Sequence, residues 1–303
     1  MDKSETGRAE QELLEKEYDL AGQRSMETHF YQVESRVATH SNKGVLKRTD
    51  IYRLSLIVEP GGGADREADK LTFARVSVQR GDGPEATIPA LEGYSYEFNK
   101  DALDDAGLDE EGRLYGISED VFQDLTDSTG AKLPIDIAYQ IYSLSFYYPD
   151  HVNYAEPTTE GKGIQDLRSI GDKIILGTSF AETPIPGSLA GEGSIWKNGE
   201  ASLEFKGLGV IDEVTCAVLS FDLGVCTWAM PMTIMPLMRL KTNGVSIYRG
   251  DIYLDLESRW VRKLTMTLSE MTVTSMWGVP VDRSIPRTTL LIRNVSKDEF
   301  DQS

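Results

Sequence analysis

The chain has 303 residues and carries 49 acidic against 31 basic side chains, for a formal net charge of −18. This charge argues against a general nucleic-acid binder, because phosphate binding depends on clustered lysine and arginine, and against docking on an anionic membrane surface. A hydrophobic content of 40% excludes wholesale disorder. Length and composition together predict a soluble, acidic, folded protein with one large or two modest domains.

The apolar segments of the chain bear on export and membrane insertion. The first residues carry no apolar stretch of the kind found in a secretory signal, and a mature chain freed of its signal would look the same. The most apolar stretch, residues 225–238, is broken by Pro231 and Pro236 and is shorter than the roughly 18 residues of a membrane-spanning helix. The sequence therefore predicts no membrane span and leaves the compartment open.

An N-terminal helix is predicted within residues 1–24. Apolar side chains recur there at spacings of three and four, while the other positions are rich in glutamate and lysine. The apolar stripe would consist of Leu13, Leu14, Tyr18 and Ala21. Gly22 follows it as a suitable helix stop.

Residues 25–149 are predicted to form a β-rich half that also contains helices. From Thr28 the apolar period changes to two, as in half-buried strands. Further strands are predicted at residues 51–58, 71–79, 94–98 and 113–117. Residues 118–120 resemble a helix start, and a second helix is predicted over Ile135–Tyr147, ended by Pro149. This helix is rich in tyrosine and isoleucine, so we expect it to pack against a sheet or between two sheets.

The second part of the chain divides into an irregular and a regular segment. Residues 150–193 are frequent in glycine, proline, serine and threonine and are predicted to be an irregular linker. Residues 194–296 are predicted to form an antiparallel β half, in which Asn198-Gly199 is a hairpin signal and Asp222–Gly224 would be a further turn. The strands of this half are predicted at residues 201–205, 214–221, 245–256, 260–276 and 287–295. Residues 297–303 form an acidic tail.

Two of these strands exchange their apolar faces partway along the sequence. In the strand over residues 260–276 the apolar positions change face at Ser269-Glu270, and the preceding strand makes the same change at residues 249–251. One inserted residue, a β-bulge, exchanges the two faces of a strand, so we predict a bulge at each place. Two bulges in paired strands would bend the ribbon into a strongly curled sheet.

The predicted fold class is mainly β, or β-rich α+β. Its antiparallel sheets would be curled into a half-barrel, a barrel or a sandwich, accompanied by the N-terminal helix and one or two packed internal helices. Two sheet-rich halves would flank the linker.

The sequence contains no catalytic constellation. His29, His40 and His151 are isolated from one another, and the motifs of serine hydrolases, zinc proteases, P-loop proteins and dinucleotide-binding proteins are absent. The acidic segment 101–112 lacks the ligand spacing of an EF-hand, which favours a solvated loop over a calcium site. We therefore predict no catalytic residue, no metal and no cofactor.

The sulfur-containing residues allow two interpretations each. For Cys216 and Cys226 we favour two buried thiols over a disulfide. Four methionines lie close together in the proline-broken apolar stretch, at spacings that suit Cu(I). They are Met230, Met232, Met235 and Met238. Because no histidine accompanies them and Trp228 does, we favour a methionine- and tryptophan-lined flap over a hydrophobic opening.

The last third of the chain has a recognisable strand rhythm. Residues 250–256 read Gly-Asp-Ile-Tyr-Leu-Asp-Leu, and after a short turn residues 260–268 read Trp-Val-Arg-Lys-Leu-Thr-Met-Thr-Leu. Over residues 200–296 this pattern resembles bacterial exported β-rich proteins of unknown function that have a curled antiparallel sheet, some of which are similar to the periplasmic lipoprotein carriers. The resemblance implies an extracytoplasmic, periplasmic location and an apolar or lipid-like ligand. It matches no residue here to a known ligand contact.

The predicted function is a non-catalytic binding module that holds an apolar or lipid-like ligand, or a protein partner, on a curled β-sheet. The predicted ligand-binding residues are Trp228, Met232, Met235, Leu254, Leu264, Met266 and Leu268. The alternative is a structural or assembly protein that buries a sheet face in a homo- or hetero-oligomer, because long β ladders invite edge pairing. The sequence leaves the oligomeric state open.

Overall fold

The structure is a computed structural model that describes residues 15–61, 68–99, 102–104, 107–158, 161–176, 183–184, 193–235 and 238–302. The described residues form thirteen strands that belong to one sheet, and every strand pair in it is antiparallel. The first seven strands are β1 (His29–Ser41), β2 (Leu46–Glu59), β3 (Asp69–Arg80), β4 (Glu85–Thr87), β5 (Ser95–Phe98), β6 (Lys173–Leu176) and β7 (Thr183–Pro184). The last six strands are β8 (Ile195–Lys197), β9 (Ala201–Ile211), β10 (Val214–Met235), β11 (Met238–Asp255), β12 (Val261–Met276) and β13 (Val279–Val295).

The helical elements are few. Helix α1 covers Ile135–Val152 and helix α2 covers Lys297–Gln302. Short 3₁₀ turns lie at Pro89–Leu91, Glu119–Phe122, Asn153–Ala155 and Ile164–Asp166. Among the described residues, no helix is long and apolar enough to cross a membrane.

The strand order joins the two predicted halves into one sheet. The order is β4-β3-β2-β1-β13-β12-β11-β10-β8-β7, with β5 also paired to β3, and β9 paired to both β10 and β6. The last strand, β13, lies between β1 and β12, so it connects the strands of residues 25–149 with those of residues 194–296. The mainly β fold with antiparallel strands is confirmed.

Helix α1 shows that the sheet is curled. Tyr148 of the helix lies with its ring 4.7 Å from that of Tyr31 on β1, and His151, one turn later, lies 5.5 Å from the ring of Phe221 on β10. Four strand spacings separate β1 from β10, which is about 19 Å in a flat sheet, whereas a helix with its side chains is about 10–12 Å wide. The sheet must therefore curve around the helix for both contacts to form.

Helix α1 continues through Pro149 instead of ending before it. A proline inside a helix removes the hydrogen bond that its N–H would donate to the carbonyl four residues earlier, here that of Ser145. The phenol of Tyr96 on β5 donates to this Ser145 carbonyl at 3.0 Å. The predicted end at Tyr147 is therefore wrong, because a partner from a distant strand satisfies the orphaned carbonyl.

The predicted N-terminal helix falls largely on residues 1–14, which lie outside the described residues. Residues 16–20 have no regular secondary structure, so the helix does not extend to Gly22. Tyr18 instead packs edge-on against Phe205 of β9, with ring centres 5.4 Å apart, and its N–H donates to the Arg168 carbonyl. Tertiary contacts outweigh helical periodicity over this stretch.

Two predicted turns have other roles. Asn198-Gly199 does not join a hairpin, because β8 and β9 pair with β10 and not with each other. A Cβ at Gly199 would lie 2.5 Å from the backbone nitrogen of Val225, so this glycine permits a close approach of the chain to β10. At Asp222–Gly224, β10 continues through a register shift of the kind a bulge produces.

Both predicted bulges are absent from the pairing of β11 and β12. The register runs unbroken from Leu240 opposite Met276 to Tyr253 opposite Lys263. The inward positions of β12 continue in phase beyond Leu268 with Glu270 and Thr272, while Met271 faces outward. What changes at this point is therefore the chemistry of the inward face, from apolar to polar.

Several shorter segments depart from the structure that the sequence predicts. The predicted strand at 113–117 is a loop with a single bridge between Leu108 and Leu114, and the predicted helix start at Ser118 is a 3₁₀ turn. The 150–193 segment contains the end of α1, two 3₁₀ turns, β6 and β7. The acidic tail forms α2, whose Phe300 packs against Phe30 of β1.

Candidate functional site

A cavity of about 530 Å³ lies between helix α1 and the inner face of the curled sheet. Most of its wall comes from α1 on one side and from β1, β2, β10, β11, β12 and β13 on the other, and loop 107–115 and Trp196 of β8 also contribute. The size falls within the usual range for small-molecule sites, about 300–1,000 Å³.

Cross-strand rows explain where this cavity begins. One inward row, Ile252–Leu264–Ile292–Val33–Leu54, crosses five neighbouring strands and is fully buried in the core. Four residues further along each strand lies the row Tyr248–Leu268–Thr288–Val37–Asp50, and all five of its members line the cavity. We call the first row and its surroundings the packed region, and the second row and those beyond it the hollow region.

Aromatic side chains form much of the cavity wall. Tyr139, Phe146 and Tyr147 project from α1, and Trp228 and Tyr248 project from the sheet. The helix supplies these rings in its middle because residues three and four apart share one helical face. The cavity is therefore bounded by large rings that carry a few hydroxyl and N–H groups.

Glu270 is the carboxylate in the middle of the cavity wall. Burial raises its pKa to about 7, and the indole of Trp228 offsets part of this rise. The Trp228 N–H still lacks hydrogen-bond geometry to any described acceptor, and so does the hydroxyl of Ser246, the residue directly opposite Glu270 on β11. In the described structure Glu270 has no ion pair with lysine, arginine or histidine.

Three phenols surround this carboxylate. Burial raises the pKa of Tyr139 to about 12, and the charge of Glu270 adds to the rise. Burial and then the same charge raise the pKa values of Tyr147 and Tyr248. These tyrosines are therefore neutral hydroxyl groups at any physiological pH.

The remaining charged residues of the cavity are Arg48 with its two partners and, separately, Asp150. The Arg48 guanidinium is 2.7 Å from Asp50 and 3.9 Å from Asp136. Asp150 accepts a hydrogen bond from the phenol of Tyr115 at 2.5 Å. Of the described lining residues, four are acidic and one is basic, so the cavity carries negative charge when its carboxyl groups are ionised.

The predicted ligand-binding residues separate into three groups. Trp228 and Leu268 line the cavity. Leu254, Leu264 and Met266 point to the same inner face but are buried in the packed core and are not among the lining residues. Met232 and Met235 lie in β10, and their side chains are outside the described residues, as is that of Met238; Met230 lines the cavity. Ligand binding by any of these residues stays a prediction.

Sequence reasoning did not select the aromatic residues of α1, Tyr248 or Glu270. Two signals pointed toward them. The tyrosine-rich helix was expected to pack on a sheet, and Ser269-Glu270 marked the place where the inward face changes character. Glu270 is in phase with the inward residues Leu264 and Leu268, so it interrupts an apolar alternation with a charged side chain.

Two of the three histidines, His29 and His151, occupy packed positions. His29 contacts Asn294 at 2.9 Å and lies against Trp260, and burial lowers its pKa to about 4. His151 is fully buried, 3.4 Å from Asp150, with its Nδ1 against the Tyr147 carbonyl. Neither histidine lines the cavity.

Both cysteines are buried, and neither belongs to a possible metal site among the described residues. Cys216 and Cys226 are free and buried, which confirms the prediction of two buried thiols. Burial raises the pKa of Cys216 to about 11 and also raises that of Cys226, so neither is a reactive thiolate. Within the ranges that the structure describes, no three histidine, cysteine or acidic side chains come together as a possible metal site.

A second cavity of about 330 Å³ lies near the start of the described chain. Arg24 lines it and pairs with Asp69 at 2.9 Å and Glu156 at 2.6 Å, while its guanidinium stacks on Trp260. The paired charges tie the N-terminal segment to β3 and to the segment that follows α1. We interpret this cavity as a structural junction.

Comparisons with known proteins do not identify a relative. No protein-family model matches the sequence, and no curated protein matches it. Among solved structures the chain aligns with OmpT, an outer membrane protein of Vibrio cholerae in its trimer form, at 7% identity, covering 89% of this chain and 99% of that chain, with a TM-score of 0.17. A loop L8 deletion mutant of OmpT aligns over the same shares at 6% identity, with a TM-score of 0.15. At such TM-scores these alignments bear on neither fold nor site.

Proposed function

We propose that the protein is a non-catalytic binding module that holds an apolar or lipid-like ligand between helix α1 and the inner face of its curled sheet. The observation that carries this proposal is the 530 Å³ aromatic-walled cavity, which the chain leaves unfilled on an inner face that is otherwise tightly packed. Natural interiors are close-packed, so a partly open cavity of this size beside the core leaves apolar surface without packing partners.

The lining chemistry fits a ligand with a long apolar part. Val37, Leu268 and the aromatic rings supply apolar contact, and each ligand methylene buried there would contribute about 0.8 kcal/mol. Polar and charged side chains lie among these apolar surfaces, and they supply partners for a polar head group. The same features do not supply a nucleophile with a positioned base.

The test is a binding titration with a neutral apolar dye, N-phenyl-1-naphthylamine, whose fluorescence increases in an apolar environment. Thr288→Phe fills the cavity, and Thr289→Phe places the same ring on the outward face of the same strand. We expect the wild type and Thr289→Phe to bind the dye alike and Thr288→Phe to bind at least tenfold more weakly.

Two results would contradict the proposal. One is a wild-type protein that does not bind the dye, and the other is equal binding by Thr288→Phe and Thr289→Phe. Unfolding midpoints of both variants establish that each is folded. If Thr288→Phe fails to fold, Ser284→Phe, two rows further into the hollow region, replaces it.

We also propose that the protein acts outside the cytoplasm. The support is the resemblance of residues 200–296 to exported β-rich proteins. Fractionation of cells that carry the complete native gene tests this location, and recovery of the protein only from the cytoplasmic fraction would overturn it.

A second candidate function is assembly through the outer face of the sheet. On the outer side of the hollow region, this face exposes apolar side chains on neighbouring strands, including Val225, Ile247 and Met271. The β12–β13 turn also exposes Trp277. Contiguous exposed apolar surface commonly marks an interaction site. Mass measured across a range of concentrations tests it: a constant monomer rejects assembly with itself, whereas an oligomer that Met271→Lys dissociates supports it.

A further inference from the structure

We propose that Glu270 and the aromatic rings around it bind the cationic nitrogen of an amphipathic ligand, such as a quaternary or protonated amine attached to an apolar chain. This inference rests on the proposed function, because it names the chemical class of the ligand that the same cavity takes.

The first support is the isolation of Glu270 among the charged groups of the cavity. Asp50 and Asp136 have Arg48 as their ion-pair partner, and Asp150 has the phenol of Tyr115. Glu270 lines the cavity with no such cation among the described residues. A buried carboxylate without a counter-charge is costly, and a ligand cation would supply the missing charge.

The second support is the set of rings beside this carboxylate. Tyr139 and Tyr147 approach from α1, Tyr248 from β11 and Trp228 from β10, and all four line the cavity. Cations bind over the faces of tryptophan and tyrosine, and cages of such rings recognise quaternary ammonium groups. An aromatic wall with one carboxylate is suited to a cation more than to a neutral polar head.

The third support is the way the chain positions Trp228. Gly244 lies opposite Trp228 on β11, and a Cβ at Gly244 would come within 2.1 Å of the indole ring. The glycine therefore leaves room for the ring to lie across β11, in the row next to the one that contains Ser246 and Glu270. The indole thereby becomes part of the wall at the carboxylate.

Charge in the cavity excludes the opposite ligand class. Four carboxyl groups and one guanidinium line the described cavity, so a fatty acid or a phosphate head would meet net repulsion. Burial raises the pKa of Glu270, and the indole N–H of Trp228 offsets part of this rise and so favours the ionised form.

The experiment compares three probes with the same eight-carbon chain: octyltrimethylammonium, octan-1-ol and octanoate. Each displaces N-phenyl-1-naphthylamine from the wild type, from Glu270→Gln and from Glu97→Gln, a control that removes one outward-facing carboxylate on β5. We expect octyltrimethylammonium to bind the wild type and Glu97→Gln at least tenfold more tightly than octanoate. Glu270→Gln should lose at least tenfold for the ammonium probe and less than twofold for octan-1-ol.

A pH series adds a readout that a structural role of Glu270 would not move. The groups that face Glu270 are Tyr139 and Tyr147 from α1, Tyr248 from β11 and Trp228 from β10, and none of them titrates near neutral pH. Within the same inward row, β13 and β1 present Pro286 and Thr39, and Arg48 follows on β2. Binding of octyltrimethylammonium should weaken about tenfold per pH unit below 7, whereas octan-1-ol should not respond.

The outcomes distinguish this inference from the proposed function. If the dye and octan-1-ol bind but octyltrimethylammonium has no advantage over octanoate, the cation site is wrong and the apolar binding module stands. An unchanged ammonium affinity in Glu270→Gln also overturns the cation site. If none of the probes binds, the proposed function itself fails.

Discussion

The packed and the hollow regions lie on the same inner face of the sheet and have the same strand alternation. They differ in the size and polarity of their inward side chains. In the packed region the inward row runs Ile252–Leu264–Ile292–Val33–Leu54, and every side chain is a buried aliphatic. In the hollow region the corresponding row runs Tyr248–Leu268–Thr288–Val37–Asp50, and the next row contains Glu270. The five strands that form these rows, β11, β12, β13, β1 and β2, do not change phase between the two regions.

The difference shows how one curled sheet can combine stability with a cavity. Aliphatic side chains at one end fill the space inside the curl and supply apolar burial, at roughly 25 cal/mol for each Å² removed from water. Threonine, serine and glutamate at the other end are too small or too polar to fill it, so the helix and sheet enclose a space. Stability and the candidate site therefore occupy successive segments of the same strands.

The largest expected effect comes from truncating matched leucines on β12. Leu264→Ala should lower the free energy of unfolding by about 4 kcal/mol, because it removes a fully buried side chain from a packed row. Leu268→Ala should cost about 2 kcal/mol, because Leu268 already borders empty space. Urea unfolding of both variants measures the two values, and equal losses would contradict the distinction between the regions.

Two inward glycines of β11 provide the next comparison. A Cβ at Gly250 would lie 2.2 Å from the backbone oxygen of Thr265 and 2.5 Å from the ring of Phe221, so Gly250→Ala should cost about 3 kcal/mol. At Gly244 the obstacle is the Trp228 ring, which can move into the cavity, so Gly244→Ala should cost about 1 kcal/mol. Chemical denaturation gives both values.

Tryptophan fluorescence is the check on Gly244→Ala. A displaced Trp228 should change the emission of the folded protein, whereas Gly250→Ala should leave it near that of the wild type. Equal stability losses for the two variants, or an unchanged spectrum for Gly244→Ala, would count against a cavity beside this ring.

The substitution Glu270→Gln tests the hollow region by changing the charge of a side chain while nearly keeping its shape. Its pKa in the folded protein is about 7, above the ordinary value of 4.5, so the wild type loses stability as pH rises from about 4.5 through 7. Glu270→Gln removes this loss and should be more stable than the wild type by about 2 kcal/mol at pH 8, after discounting for water in the cavity. At pH 4 the two proteins should be equally stable.

Denaturation at both pH values measures the difference between the two proteins, which cancels the titration of all other groups. A stabilisation by Glu270→Gln that is the same at pH 4 and pH 8 would show that Glu270 is solvated as on a surface. Glu97→Gln, on the exposed face of β5, serves as the control and should show no such pH dependence.

The smallest effect is expected on the outward face of the same strand. Met271 is 62% exposed beside the cavity-lining Glu270, so Met271→Ser should change the free energy of unfolding of the monomer by less than about 0.5 kcal/mol. Urea unfolding at low protein concentration measures it. A loss above 1 kcal/mol would place Met271 in a core or interface and not on free surface.

Local pattern predicted most strands of the final sheet and the buried positions on them. Alternation in residues 51–58 and 71–79 is local information, and these strands lie inside β2 and β3. The helix of residues 135–147 was also predicted, but its continuation through Pro149 depends on a phenol from β5, which no local pattern reveals. The prediction of a hairpin at Asn198-Gly199 was wrong for the same reason. Gly199 allows the chain to approach β10 closely, and β10 comes later in the sequence.

The candidate site was only partly accessible from sequence. The change of face at Ser269-Glu270 was visible, but two interpretations fit it: a bulge that keeps the apolar side inward, or an unbroken strand whose inward side becomes polar. Choosing between them requires the register of β12 against β11 and β13. Once the register is known, Glu270 lies inward and Met271 lies outward.

The sequence by itself determined the strand periodicity, the aromatic helix and the acidic, mainly β character of the protein, because these properties depend on neighbouring residues and on composition. The tertiary structure alone decided where the inner face is filled and where it is empty. That outcome depends on cross-strand rows that join residues more than two hundred positions apart, such as Val37 and Thr288, and on helix α1, which lines the cavity from Ile135 to Asp150. Packing of distant segments, and not local preference, brings Glu270 and its rings together.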